Sequence, residues 1–264
     1  MGGESLNQRG EKTVVILQPG YLPWLGFFDL MFKSDVFVIY DDVQFDKHGW
    51  RNRNRIKTPR GALWLTVPVL TKGRNRPTNR EILVNNCERW AKRHIGSLRQ
   101  YYSKAPFYHD YFGLFEQVLN KNWEFLIDLD MALIETLMNL LGFSRRIVFA
   151  SDLSVSGGQT ERLVAFCRHM GARFFLEGDA GRVYLDEALF AEHGIELQYH
   201  AYRHPVYRQL HGDFLPYMSV VDLLFNHGPK SLGILSACRD VAAVDASAGN
   251  LTASQREDPA HQRP

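Results

Sequence analysis

Gln18, Tyr21 and Trp24 stand close together, and Asp41-Asp42 follow as a pair of carboxylates. A carboxylate can act as general acid or base or orient a substrate. Tyrosine and tryptophan rings offer flat faces to a base or a sugar. Trp50-Arg51-Asn52-Arg53-Asn54-Arg55 then alternates guanidinium and amide. At a period of two, Arg51, Arg53 and Arg55 share one face of an extended segment, with Asn52 and Asn54 on the other. Guanidinium forks so spaced suit bidentate contact with phosphate or carboxylate. The same pattern also describes a solvated basic edge strand, where charge guards against aggregation. His94, in Lys92-Arg93-His94, is a third acid–base candidate, although a lone helical histidine is more often structural. Further on, Gly178 and Tyr184 bracket a glycine loop, and His204, Tyr207 and Gln209 bring two rings and an amide into one loop. Asp41, Asp42 and His94 are thus the catalytic candidates, and the remaining residues named, Arg55 among them, the substrate contacts. No cluster has strong metal-ligand spacing, and neighbouring carboxylates such as Asp41 and Asp42 point to opposite faces of a strand. No residue set identifies a cofactor.

These side chains need elements to hold them. Val14-Val15-Ile16-Leu17 is short and β-branched, as a buried parallel strand is. Phe27 to Ser34 is amphipathic, and Asp35 to Tyr40 is a second apolar run. Strand, loop, helix, strand is a βαβ unit. Ligands of such sheets bind outside the carboxyl ends of the strands, where Gln18, Tyr21, Trp24, Asp41 and Asp42 fall. A plainer reading has Pro19 and Pro23 stiffening a loop whose rings cover the sheet end. Ala62 to Val69 reads as a third strand that Pro68 ends, and Ile82-Leu83-Val84 as a shorter one. From Glu88 to about Leu141 the spacing is helical, with breaks at Pro106 and Gly142. Strands at 146–151, 173–177 and 195–199 then alternate with helices. Ser156 to Thr160 at a helix start is either an anion cradle or a plain cap. Ser219 and Asp222 have capping-box spacing, and a buried Asp222 requires a partner. The expected fold is α/β, a doubly wound and mostly parallel sheet with a helical insert at about 88–142. A single domain over 13–240 is flanked by tails at 1–12 and 241–264 that lack core-forming residues.

The chain of 264 residues is 45% hydrophobic, enough for a substantial core. A net charge of +2 supplies no whole-protein attraction to nucleic acid. Three scattered cysteines suit reduced thiols in a cytoplasm. Residues 1–12 are polar, and no apolar run reaches a membrane-span length.

Taken together, QPGYLPWLGFFDLMFKSDVFVIYDDVQF, GWRNRNRIK with WLTVPV, WAKRH with YYSKAPFY, LEGDAGRVYLD and HPVYRQLHGDFLPYMSVVDLLFNHGP resemble the WbqC-like family of bacterial proteins over about residues 13–235. The resemblance implies a role beside O-antigen, lipopolysaccharide or other sugar-modification genes. One departure is Glu177, where relatives tend to carry a small residue. The opening unit also looks like the start of nucleotidylyltransferase-like folds, whose loop histidines this chain lacks. The expectation is a group transferase acting on an anionic small molecule, a nucleotide sugar or an acyl or aminoacyl donor. Two alternatives stand beside it: a non-catalytic sugar-nucleotide-binding partner, and an RNA binder with tRNA among its ligands.

Overall fold

Val14 to Leu17 is apolar on both sides because it forms the centre of a parallel sheet covered on both faces. The computed structural model describes residues 11–237 apart from residue 74. The expected tails therefore lie outside the described residues, except Glu11 and Lys12. The first half contains β1 (Lys12–Leu17), α1 (Leu25–Lys33), β2 (Val36–Ile39), β3 (Arg53–Thr58), β4 (Gly61–Thr66), β5 (Val69–Leu70) and β6 (Leu83–Val84). Three helices follow, α2 (Trp90–Tyr102), α3 (Tyr108–Leu119) and α4 (Leu126–Leu141). The remainder is β7 (Arg146–Phe149), α5 (Gln159–Met170), β8 (Ala172–Gly178), α6 (Glu187–Glu192), β9 (Glu196–His200), α7 (Val220–His227) and α8 (Ser231–Ser236).

Five strands pair in parallel in the order β7-β2-β1-β8-β9. The chain moves outward from β1 to one side, then crosses back and fills the other. This reversal makes the boundary between β1 and β8 the topological switch point. Side chains alternate into two cores. Val15, Phe37, Ile39 and Leu176 join one with residues of α1, α2, α3, α4, α7 and α8. Val14, Ile16, Val38 and Phe175 join the other with Phe166 and Cys167 of α5 and Phe190 of α6. The region read as a helical insert thus covers one face of the sheet.

β3 and β4 form an antiparallel hairpin outside the sheet, with Arg55 opposite Trp64. Val69 and Leu70 leave β4 after Pro68 and pair with β6. Gly142 ends α4 with φ +79°, the left-handed cap expected of a glycine there. At the start of α5 the Glu161 carboxylate accepts from the Gly158 N–H at 2.9 Å. That capping contact occupies the end that had been equally readable as an anion cradle.

Candidate functional site

The loop after β1 turns inward. Tyr21 and Leu22 are fully buried. The Tyr21 N–H donates to the Arg51 carbonyl, Asn54 Nδ2 to the Leu22 carbonyl, and the Val220 N–H to the Pro23 carbonyl. The hairpin and the start of α7 therefore clamp the loop from both sides. Tyr21 Oη lies 2.8 Å from His94 Nδ1. Burial, helped by the Arg93 charge, lowers the His94 pKa to about 4, so the imidazole is neutral at neutral pH. Tyr21 is consequently not presented for stacking, and His94 supports the loop from behind. Trp24 is half-buried against Tyr202 and Tyr217, with ring centroids at 5.0 and 5.7 Å.

The arginines separate. Arg53 and Arg55 lie in β3 and share a face, as the period predicts. Their guanidiniums pack over Trp64 at 4.6 Å and Trp50 at 5.1 Å. Arg53 also donates to the His48 and Gly49 carbonyls and Arg55 to that of Tyr217. Arg51 precedes the strand and leaves that face. Its Nη1 donates to the carbonyls of Gln18 and Pro19 at 3.0 and 3.1 Å. The physical reason is that the end of β1 exposes carbonyls that the sheet leaves unpaired. Asn52 and Asn54 point inward and tie backbone to backbone.

His204 Nδ1 and the Pro205 carbonyl are 3.0 Å apart, and its ring packs among Tyr202, Tyr207, Phe214 and Tyr217. Tyr207 and Gln209 were expected at a substrate; they point at Asp222 instead. Asp222 Oδ2 accepts from Tyr207 Oη at 2.9 Å and Gln209 Nε2 at 2.8 Å, and Oδ1 from Tyr102 Oη at 2.8 Å. This is the partner set that a buried carboxylate requires. Gly178 ends β8, and its N–H meets the Glu177 carboxylate at 2.9 Å. Burial pushes the Glu177 pKa up to about 7. Tyr184 is half-exposed nearby, and burial, helped by the Glu177 charge, raises its pKa to about 12.

Asp41 and Asp42 diverge, as neighbours at a strand end do. Asp42 pairs with Arg162 of α5 at 2.5 Å. Asp41 is buried, and Ser151 clamps it with its N–H at 3.0 Å and its hydroxyl at 2.6 Å. Ser151 follows β7, so this contact joins the carboxyl ends of two adjacent strands. There a cleft of about 580 Å³ opens. Asp41, Phe149, Ser151 and Asp152 at the strand ends line it together with Arg80, Glu81, Phe125, Ile127, Asp128 and Met131. Its size and place fit a small-molecule site in an α/β sheet. Arg80 was not singled out from the sequence, but Thr78 and Glu81 carry its signal: a capping box that rigidifies the short turn Asn79–Glu81. Asp130 was missed too, although a carboxylate on the apolar face of α4 is a readable anomaly.

Of the catalytic candidates, then, only Asp41 lines the cleft. Gln18 is not among its lining residues; it accepts from Asn79 Nδ2 at 3.2 Å. No helix among the described residues is long and apolar enough to cross a membrane.

The WbqC-like protein family matches residues 18–234 of this chain. The uncharacterized protein Rv1507c of Mycobacterium tuberculosis is 39% identical over 232 residues, which is 86% of this chain and 99% of that protein. No solved structure matches the chain.

Proposed function

Since the chain belongs to the WbqC-like protein family, we propose that it is a cytoplasmic enzyme of bacterial surface-polysaccharide or sugar-modification biosynthesis. Its reaction is a group transfer from an activated substrate carrying a phosphate or acyl group. The observation that carries this reading is the cleft lined by Asp41, which is buried and oriented by Ser151. A carboxylate so fixed is a general base whose geometry needs no reorganisation during reaction. Arg80 is the cation beside it. Order of strands around β1 follows the first five of a dinucleotide-binding sheet, which supports the nucleotidylyltransferase-like reading of the opening unit.

The test is isothermal titration and turnover with nucleotide sugars and acyl donors, comparing wild type with Asp41→Asn and Arg80→Ala. Asp41→Asn should keep binding and lose on the order of 10²–10⁴-fold in kcat, the usual range for a general base. Unchanged turnover in Asp41→Asn would remove the carboxylate from the chemistry. A second reading, RNA contact, draws on one observation: Arg53 and Arg55 alternate with Trp50 and a half-exposed Trp64 on the outer hairpin. Bases stack on such rings, and tRNA affinity would then fall steeply with salt and with Trp64→Ala.

A further inference from the structure

The hairpin of β3 and β4 has one closed edge and one open edge. Opposite residues of an antiparallel pair alternate between those that bond across the pair and those whose main chains turn outward. On β3 the outward set is identified by its partners. The Arg55 carbonyl accepts from the Ser219 N–H at 2.8 Å, and the Lys57 N–H donates to the Tyr102 hydroxyl at 3.0 Å. Arg53, Arg55 and Lys57 stand opposite Thr66, Trp64 and Ala62. Those three residues of β4 therefore turn their own N–H and C=O groups to the far side. The His94 ring reaches the Thr66 main chain. At Ala62 and Trp64 the outer side stays open, because among the described residues β4 has no strand neighbour besides β3.

Open edges are commonly blunted by lysine, proline or another charge on the edge strand. β4, Gly61-Ala62-Leu63-Trp64-Leu65-Thr66, carries none of these. Ala62 and Trp64 are exposed, Trp64 to 41%, so the edge is reachable. The basic charge that could guard an edge sits one strand further in, on β3. An edge of this kind accepts an extended peptide as an added strand. The charge beside it selects which peptide. Arg53 and Arg55 lean across Trp64, with guanidinium carbons 4.6 and 5.5 Å from its ring centroid. Both donate to main-chain carbonyls, which occupy N–H groups and leave the charge. Among the described residues neither closes an ion pair. Arg60 adds an exposed guanidinium at the turn. A strand laid against β4 alternates its side chains, so every second one lies on the face of Trp64 beside these charges. Acidic side chains suit that face. A second copy of the hairpin does not, because it brings its own Arg53 and Arg55 against them.

We propose that the outer edge of β4 binds an extended acidic segment of a partner protein as an added strand. The Ala62 and Trp64 main chains pair with it, and its carboxylates face Arg53 and Arg55. None of these residues lines the cleft, so the inference does not depend on what the cleft binds.

The experiment follows the backbone amides of the isotopically labelled full chain by NMR. The probes are acetyl-Glu-Val-Glu-Val-Glu-Val-amide, its lysine counterpart and poly(U). The glutamate peptide should shift the Ala62 and Trp64 amides and slow their hydrogen exchange. At low salt it should bind about tenfold or more tighter than the lysine peptide. Ala62→Pro removes one outward N–H where an edge strand tolerates proline, and should weaken binding about tenfold or more. Arg53→Gln combined with Arg55→Gln should abolish the preference for glutamate over lysine. Thermal unfolding checks that each variant folds. The proposal is overturned if the glutamate peptide leaves both amides unmoved, if the lysine peptide binds equally well, or if Ala62→Pro folds and binds as wild type. Poly(U) binding lost in Trp64→Ala but kept in Ala62→Pro, with no peptide bound, would make the hairpin an RNA surface and sink the inference. Shifts of the two amides with protein concentration alone would assign the edge to a second copy and sink it equally.

Discussion

Two buried ionisable side chains act on stability with opposite sign. His94 has its pKa lowered from 6.5 to about 4, so the folded chain takes up this proton less readily than the unfolded one. Its contribution is complete above pH 6.5 and is lost as pH falls towards 4. Glu177 has its pKa raised from 4.5 to about 7, so its contribution is complete below pH 4.5 and is lost as pH rises through 7. Each slope is about 1.4 kcal/mol per pH unit, and between pH 4.5 and 6.5 they largely cancel. Glu177→Gln should remove the Glu177 slope: across this window the urea midpoints of that variant should rise with pH relative to those of wild type. Identical profiles for the two proteins would contradict the assignment. Asp222 belongs to the same scale. Replacing it by alanine leaves the Tyr102, Tyr207 and Gln209 donors facing a void. The expected loss is about 3–5 kcal/mol, read by urea denaturation; a loss below about 1 kcal/mol would mean that water replaces the carboxylate readily.

At the scale of elements, the start of α1 depends on a glycine for space. A Cβ at Gly26 would lie only 2.3 Å from the nearest atom of the Trp24 ring. Trp24 cannot retreat, because Tyr202 and Tyr217 pack on it and its backbone bridges to Ser219. Gly26→Ala should therefore destabilise by about 1–3 kcal/mol despite alanine's better helix propensity. A neutral or stabilising effect would show that the indole has another position open to it. The hairpin of β3 and β4 is tied by Lys57, whose Nζ donates to the Gly212 and Asp213 carbonyls. The late loop holding His204 is thus positioned by the hairpin as much as by its own turns.

At the scale of the molecule, α2, α3 and α4 bury their apolar faces in the same core as β1, β2, α1 and α7. A peptide of residues 88–142 alone would leave that shared surface in water. It should show no cooperative thermal transition by circular dichroism, whereas the full chain should unfold with these helices and the sheet together. A sharp transition in the isolated peptide would make the region an autonomous unit.

Much of the fold was legible in the residues themselves. Val14 to Leu17 and Val36 to Ile39 are apolar without alternation because both faces of a parallel strand are covered, and Gly142 stops α4 because its cap needs positive φ. The period-two reading of Arg53 and Arg55 held for the same local reason. What depends on distant partners was not legible. Asp41 and Ser151 are 110 positions apart, Tyr102 and Asp222 120, and only the packed sheet and helices bring them together. The same packing turned Tyr21, Tyr207 and Gln209 inward and buried Asp130 within the helical layer. Local spacing determined the elements and their order; tertiary packing decided which polar groups face a cleft and which complete a core, because burial and hydrogen-bond partners are properties of the assembled chain.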